Sequence, residues 1–223
     1  MDEREGAFRE VNSPVRICIP SKGRLKGPTL TLFEKIGVTP LGGERDYIQE
    51  STDSRFQFIF TRASDIPLYV QYGAADLGVT GHDLIMERGS DVYELVDLGY
   101  GECTLVLAAP FDSKIWRGSD IPDGVRVATE YPNLAREFFS RIGRQVEILT
   151  VSGAAELAPR VGLASAIIDI TSTGETLRRN GLRIVEEIMK STAVMACNRI
   201  SYKTKRELIG ELLGRVETAI KGG

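Results

Sequence analysis

Short apolar runs rich in β-branched residues alternate along the chain with stretches in which apolar positions recur every three or four residues. The first kind predicts buried strands and the second amphipathic helices. Residues 15–20 (VRICIP) form the first such strand, and 28–37 the first helix, with Pro28 near its first turn and Gly37 at its end. Residues 56–60 predict a strand. Ser64 is placed to N-cap a helix reaching about Tyr72, with Pro67 tolerated in its first turn. Then come a short strand over 77–80, a helix over 82–88, and strands over 92–98 and 103–109.

The alternation continues in the second half. Strands are expected over 125–128, 146–149, 166–170 and 195–200, and helices over 132–142, 154–161 and 173–180. Gly143 and Gly181 are placed as helix stops. In a closing helix over 201–220, Leu208, Leu212, Val216 and Ile220 recur every fourth residue, so one face is buried. Such alternation predicts an α/β protein with mostly parallel sheets. The segment 110–124, rich in Pro, Gly and Asp and carrying the only tryptophan, Trp116, is the best candidate for a boundary.

Composition narrows the class. The 223 residues suffice for one large or two small domains, and 42% hydrophobic with 26% charged residues is ordinary for a globular enzyme. A net charge of -3 lacks the basic excess of a nucleic-acid binder. No stretch approaches the roughly 20 apolar residues that span a bilayer, and the acidic start, residues 1–14, reads as a flexible tail rather than a secretory signal. Cys18, Cys103 and Cys197 lie in apolar runs without metal-ligand spacing, so buried thiols of a cytoplasmic protein are expected. The single histidine, His82, sits at a helix start, where a cap or surface role is the ordinary one.

Residues 166–182 (AIIDITSTGETLRRNGL) carry the candidate chemistry. An apolar strand leads to Asp169; Thr171, Ser172, Thr173 and Gly174 follow, and Glu175 and Thr176 enter a helix. Backbone N–H groups and hydroxyls at a helix start suit a phosphate, and glycine permits close approach. A carboxylate at the strand end suits two vicinal hydroxyls. Together they fit a ribose 5-phosphate, while spacing alone fits a capped helix after a buried strand equally well.

The stretch from Glu156 to Leu177 resembles the signature of ATP phosphoribosyltransferases, with Gly162, Ala164, Ile167, Asp169, Ile170, Thr173, Gly174, Thr176 and Leu177 at the family's spacing. The blocks at 19–25 (IPSKGRL), 61–83, 97–110 and 128–139 are similar to further parts of that family. Glu130 and Ala135 stand where many relatives have Lys and Thr, so the resemblance carries no phosphate contact onto that loop.

The resemblance implies a two-domain fold like that of periplasmic binding proteins, with a cleft between domains. Domain I would be 15–109 plus 193–223, and domain II 110–192, with crossings near 108–111 and 191–194. It implies transfer of the phosphoribosyl group of phosphoribosyl pyrophosphate (PRPP) to N1 of ATP, the first step of histidine biosynthesis. The competing readings are a solute-binding module on the same fold and a phosphoribosyltransferase with another acceptor base. The chain's length resembles the short form, which works with a regulatory subunit related to histidyl-tRNA synthetase, as a hetero-octamer around a homodimer core. Mg²⁺ would arrive on substrate, with no metal held by the protein alone.

For the site, the resemblance implies that Asp169 binds the ribose hydroxyls and that Thr171, Ser172, Thr173, Gly174, Glu175 and Thr176 cradle the 5-phosphate. Lys22, Arg24 and Arg62 follow strands, where α/β sheets place ligand-binding groups. They are the candidate catalytic cations, and Arg24 and Arg62, with Asp76, Gly78, Thr80 and Gly81, are the candidate ATP contacts. Arg45 and Arg55 are weaker candidates.

Overall fold

A computed structural model describes residues 13–43 and 45–222. The expected flexible tail, apart from Ser13 and Pro14, lies outside these. In chain order the elements begin β1 (Val15–Pro20), α1 (Lys26–Lys35), β2 (Pro40–Leu41), β3 (Ile48–Ser51), β4 (Phe56–Thr61), α2 (Ile66–Gln71), β5 (Leu77–Gly81) and α3 (His82–Arg88). They continue β6 (Tyr93–Asp97), β7 (Cys103–Pro110), β8 (Arg126–Thr129), α4 (Pro132–Arg141), β9 (Glu147–Thr150), β10 (Ala166–Thr171) and α5 (Glu175–Arg179). The last are β11 (Leu182–Ser191), β12 (Ala193–Cys197), α6 (Arg199–Thr204) and α7 (Arg206–Lys221).

The chain divides into two compact units. Of the described residues, one holds those up to Thr80 with Ser90–Tyr100 and those from Ala193 onward; the other holds Gly81–Gly89 and Gly101–Thr192. The first unit is built on a seven-stranded sheet of order β2-β3-β4-β1-β5-β12-β6. Parallel ladders join β1 to β4 and to β5, and antiparallel ladders join β2, β3 and β4 and pair β12 with β6. Alternate residues of β1, Val15, Ile17 and Ile19, are fully buried against Phe33, Phe56 and Phe58. Burial of each such side chain contributes about 1.5–3 kcal/mol.

The second unit carries a five-stranded sheet of order β11-β7-β10-β8-β9. Beside its parallel ladders, β8 with β9 and with β10, β7 pairs antiparallel with β10 and β11 antiparallel with β7. Leu105, Leu107, Val127, Phe138 and Ile168 form its core.

Several elements differ from the pattern-based reading. The N-cap of α2 is Asp65, one residue beyond Ser64, so Pro67 falls within the first two helical positions. Residues 154–161 make only a three-residue 3₁₀ turn at Ala155–Leu157, because Ala154 takes a left-handed φ of 50° that interrupts a helix. Asn198 ends the strand expected to reach Ile200: its side chain accepts from the N–H groups of Ile200 and Ser201 and starts α6. The closing helix breaks at Lys205, and its buried residues are Ile209, Leu212 and Val216, with Leu208 and Ile220 partly covered. The segment 110–124 lies inside the second unit, where Arg183 fastens it by donating to the carbonyls of Pro110, Phe111, Ser113 and Ile115. The chain enters the second unit first with Gly81–Gly89 and again from Gly101, where β7 is paired on both sides within the second sheet.

Candidate functional site

The segment singled out by its chemistry emerges from the middle of the second sheet. In β10, Ala166, Ile167 and Ile168 are fully buried, whereas Asp169, Ile170 and Thr171 are half-buried. The loop that follows is held in shape by its own hydroxyls. Thr171 Oγ1 accepts the Gly174 N–H at 2.9 Å, and Thr173 Oγ1 the Glu175 N–H at 3.4 Å. Ser172 Oγ donates to the carbonyl of Glu102 at 3.1 Å, which ties the loop to the start of β7. Gly174 supplies the turn into α5 with a φ of 72°, a conformation that a side chain would strain. Thr173, Glu175 and Thr176 are exposed around it.

Asp169 is electrostatically unusual. Burial is the main cause that raises its pKa from 3.8 to about 6; the Ile170 N–H at 2.7 Å opposes the shift, and the carboxylates of Glu130 and Glu156 add to it. Glu130 is raised as well, by burial first and by Glu156 second. The parallel register explains the grouping. Thr129 of β8 pairs with Ile168 of β10, so Glu130, the first residue beyond β8, comes level with Asp169 of β10. Three acids therefore share the carboxyl edge of this sheet. Pattern reading named Glu156 only as a signature position and Glu130 only as a departure. Their electrostatic role depends on β8 lying beside β10, which chain order does not reveal.

The neighbouring helix start is closed to an external anion. At the N-terminus of α4, the N–H groups of Asn133 and Leu134 donate to the carboxylate of Glu87 at 3.0–3.1 Å. An internal carboxylate thus takes the place a phosphate would occupy on the helix dipole.

In the first unit, Lys22 and Arg24 sit on an exposed loop after β1, and Arg62 on an exposed position after β4. Pro20 pairs with Thr61 in the parallel ladder, so these cations share one carboxyl edge of the sheet. Arg55 is instead committed to Asp53 at 2.7 Å and Glu211 at 2.8 Å, and Arg45 is exposed.

The expected ATP contacts around β5 are buried and have partners within the fold. Asp76 is 3% exposed; its carboxylate accepts from the Arg16 N–H, Ser201 Oγ and Lys205 Nζ. A Cβ on Gly78 would lie 2.5 Å from Ile66 and 2.6 Å from Val70, so that glycine lets α2 approach β5. Thr80 Oγ1 donates to the Ala63 carbonyl at 2.8 Å and is fully buried. A Cβ on Gly81 would meet the Asp83 carboxylate at 2.1 Å. These four residues are buried, the two glycines where a side chain would collide and the two polar residues with hydrogen-bond partners.

Among the described residues, no group of three or more His, Cys, Asp or Glu is arranged to hold a metal ion, and no helix is long and apolar enough to cross a membrane.

Two mixed α/β units, each with ligand-compatible groups at the carboxyl edge of its parallel strands, define an architecture shared with solute-binding proteins. The periplasmic aliphatic sulphonate binding protein SsuA from Escherichia coli is similar over 93% of this chain and 72% of its own, with a TM-score of 0.60 and 15% identity, a likeness of fold alone. A family model described as ATP phosphoribosyltransferase matches residues 62–218. An ATP phosphoribosyltransferase of Methanosarcina acetivorans is 47% identical over 197 residues, covering 87% of this chain and 68% of the relative. A chain of the ATP phosphoribosyl transferase (HisG:HisZ) complex from Thermotoga maritima is 31% identical with a TM-score of 0.84, over 94% of this chain and all of its own. The chain belongs to the ATP phosphoribosyltransferase family.

Proposed function

We propose that the second unit's carboxyl edge is the PRPP site of an enzyme that transfers the phosphoribosyl group to N1 of ATP and releases pyrophosphate, opening histidine biosynthesis. The observation that carries this reading is the half-buried Asp169 standing directly before a hydroxyl- and glycine-rich loop. Asp169 receives the 2′- and 3′-hydroxyls of the ribose. The 5-phosphate takes over the N–H groups of Gly174 and Glu175, and the hydroxyls of Thr171, Thr173 and Thr176, with Ser172 beside them, turn toward it as further donors.

Lys22, Arg24 and Arg62 act on the anionic end of the chemistry. As the glycosidic bond breaks, positive charge develops at the anomeric carbon and negative charge on pyrophosphate. Fixed cations favour that separation. Adenine N1 in neutral ATP carries no proton, so attack needs positioning and no strong base. Inversion follows from attack opposite the leaving group. Asp76, Gly78, Thr80 and Gly81 support the fold and leave the nucleotide to Arg24 and Arg62. Mg²⁺ enters as part of the substrate, held by phosphate oxygens and water.

We further propose a cytoplasmic enzyme with a homodimer core inside a hetero-octamer whose regulatory subunit is related to histidyl-tRNA synthetase. The likeness to a chain that is found in a HisG:HisZ complex in Thermotoga maritima supports it.

The test is pyrophosphate release from PRPP and Mg²⁺ with ATP, adenine or orotate as acceptor, with and without such a subunit. ATP-dependent release of pyrophosphate supports the reading. Release with adenine or orotate but not ATP replaces it by another phosphoribosyl transfer, and binding without release by a solute-binding module.

A further inference from the structure

We infer that α3 is the positioning element of the second unit's site: Asp83 and Glu87, one helical turn apart, hold the turn between β8 and α4 so that Glu130 stays beside Asp169. The inference rests on the reading of Asp169 as the ribose-binding carboxylate.

In sequence α3 lies between β5 and β6 of the first unit, yet its polar groups bond within the second. Asp83 is 1% exposed; its Oδ2 accepts the Tyr131 hydroxyl at 2.8 Å and its Oδ1 the Ser191 hydroxyl at 2.6 Å. Ser191 Oγ in turn accepts the Asp83 N–H at 2.9 Å. One turn along, the Glu87 carboxylate takes the N–H groups of Asn133 and Leu134, and its backbone carbonyl takes the Asn133 amide at 2.8 Å. The Tyr131 N–H closes back on Thr129 Oγ1 at 2.8 Å. The turn carrying Glu130 is therefore fixed at Tyr131, Asn133 and Leu134.

Such a clamp is needed because its product is unfavourable. Glu130 and Asp169 bear like charges, and Glu156 from the 3₁₀ turn adds a third. An unrestrained turn would swing Glu130 toward solvent and away from its neighbours. The Tyr131 phenol is itself pushed up, by burial first, then by Asp83, and last by Cys103 and Asp169. Burial above all, with Glu130 and Glu156 held nearby adding to it, leaves Asp169 more basic than an ordinary aspartate, which strengthens its hydrogen bonds to neutral hydroxyl donors. Asp83 and Glu87 act on substrate only through this turn; they are positioning residues.

The experiment titrates the Asp169 side-chain carboxyl by carbon-13 NMR in the full chain, alongside kcat, KM and PRPP affinity, in Tyr131→Phe, Glu87→Ala, Glu87→Gln and Asp169→Asn. The expected result is an Asp169 midpoint lowered by about half a pH unit or more in Tyr131→Phe and Glu87→Ala. In both, kcat should fall about 10-fold. Glu87→Gln, which keeps one acceptor oxygen, should recover part of both. A lowered melting temperature with an unmoved Asp169 midpoint would overturn the inference and leave α3 a structural brace. Asp169→Asn with undiminished PRPP affinity would instead overturn the ribose reading, whatever the titration shows.

Discussion

Lys205 and Asp76 form a buried ion pair, Nζ to Oδ2 at 2.9 Å, with side chains 10% and 4% exposed. The pair joins the break between α6 and α7 to the residue that precedes β5. Ser201 and the backbone of Arg16 bond the same carboxylate, and Lys205 Nζ also donates to the Pro14 carbonyl at 3.1 Å. Every charge is thus matched by hydrogen bonds, which is the condition under which burying ions is tolerable.

Removing one partner leaves the other charged and buried. Lys205→Met should lower stability by about 3–5 kcal/mol, read by urea unfolding. The double variant Lys205→Met with Asp76→Asn should recover part of that loss. Equal destabilisation in single and double variants would mean that packing of the lysine stem, not charge, is what matters.

Asp169 should cost the protein stability for the sake of its site. Its folded pKa of about 6 lies above the ordinary 3.8, so the fold favours the protonated form. The contribution of this group to stability is fully present below about pH 4 and is lost as pH rises through about 6. At pH 7.5, Asp169→Asn should therefore be more stable than the parent chain by up to about 3 kcal/mol. The gap should close as pH falls toward 4, while PRPP binding is lost at all pH values. Unfolding curves at pH 4.5 and 7.5 measure it; a gap independent of pH would contradict the assignment.

The loop hydroxyls give a third expectation. Thr173→Val and Thr176→Val each remove a donor proposed for the 5-phosphate, at about 1.5–3 kcal/mol per lost bond to a charged group. Affinity for PRPP should fall while that for ATP changes little. Calorimetric titration with each substrate decides it, and unchanged PRPP affinity in both variants removes the loop from the phosphate site.

Arg62 stands on an exposed position at the carboxyl end of β4, level with the loop after β1 that bears Lys22 and Arg24. If it meets the departing pyrophosphate, Arg62→Ala lowers the single-turnover rate constant more than it raises KM for PRPP. Arg62→Lys restores only part, since an ammonium lacks the forked contact of a guanidinium. An intact rate constant with weakened ATP binding would make Arg62 a nucleotide anchor and pass the leaving-group role to Lys22 or Arg24.

Local pattern settled what depends on near neighbours in the chain. VRICIP, with its dense apolar run, is a strand in any buried setting, and Gly37, Gly143 and Gly181 mark helix ends because each adopts positive φ there. The loop from Asp169 to Thr176 was legible because strand, hydroxyls, glycine and helix start are contiguous. β11 was missed altogether: register shifts between Ile184 and Glu186 and between Glu187 and Met189 destroy its two-residue period, and pairing with β7 is what makes it a strand. Whether a polar residue at a strand end serves a ligand or the scaffold was likewise undecidable from the chain. Asp76 and Asp169 both adjoin apolar β strands, but only tertiary structure brings Lys205 and Ser201 to the first and Glu130 and Glu156 to the second. A carboxylate's role is set by the charges that surround it, and here those charges come from residues up to 129 positions away.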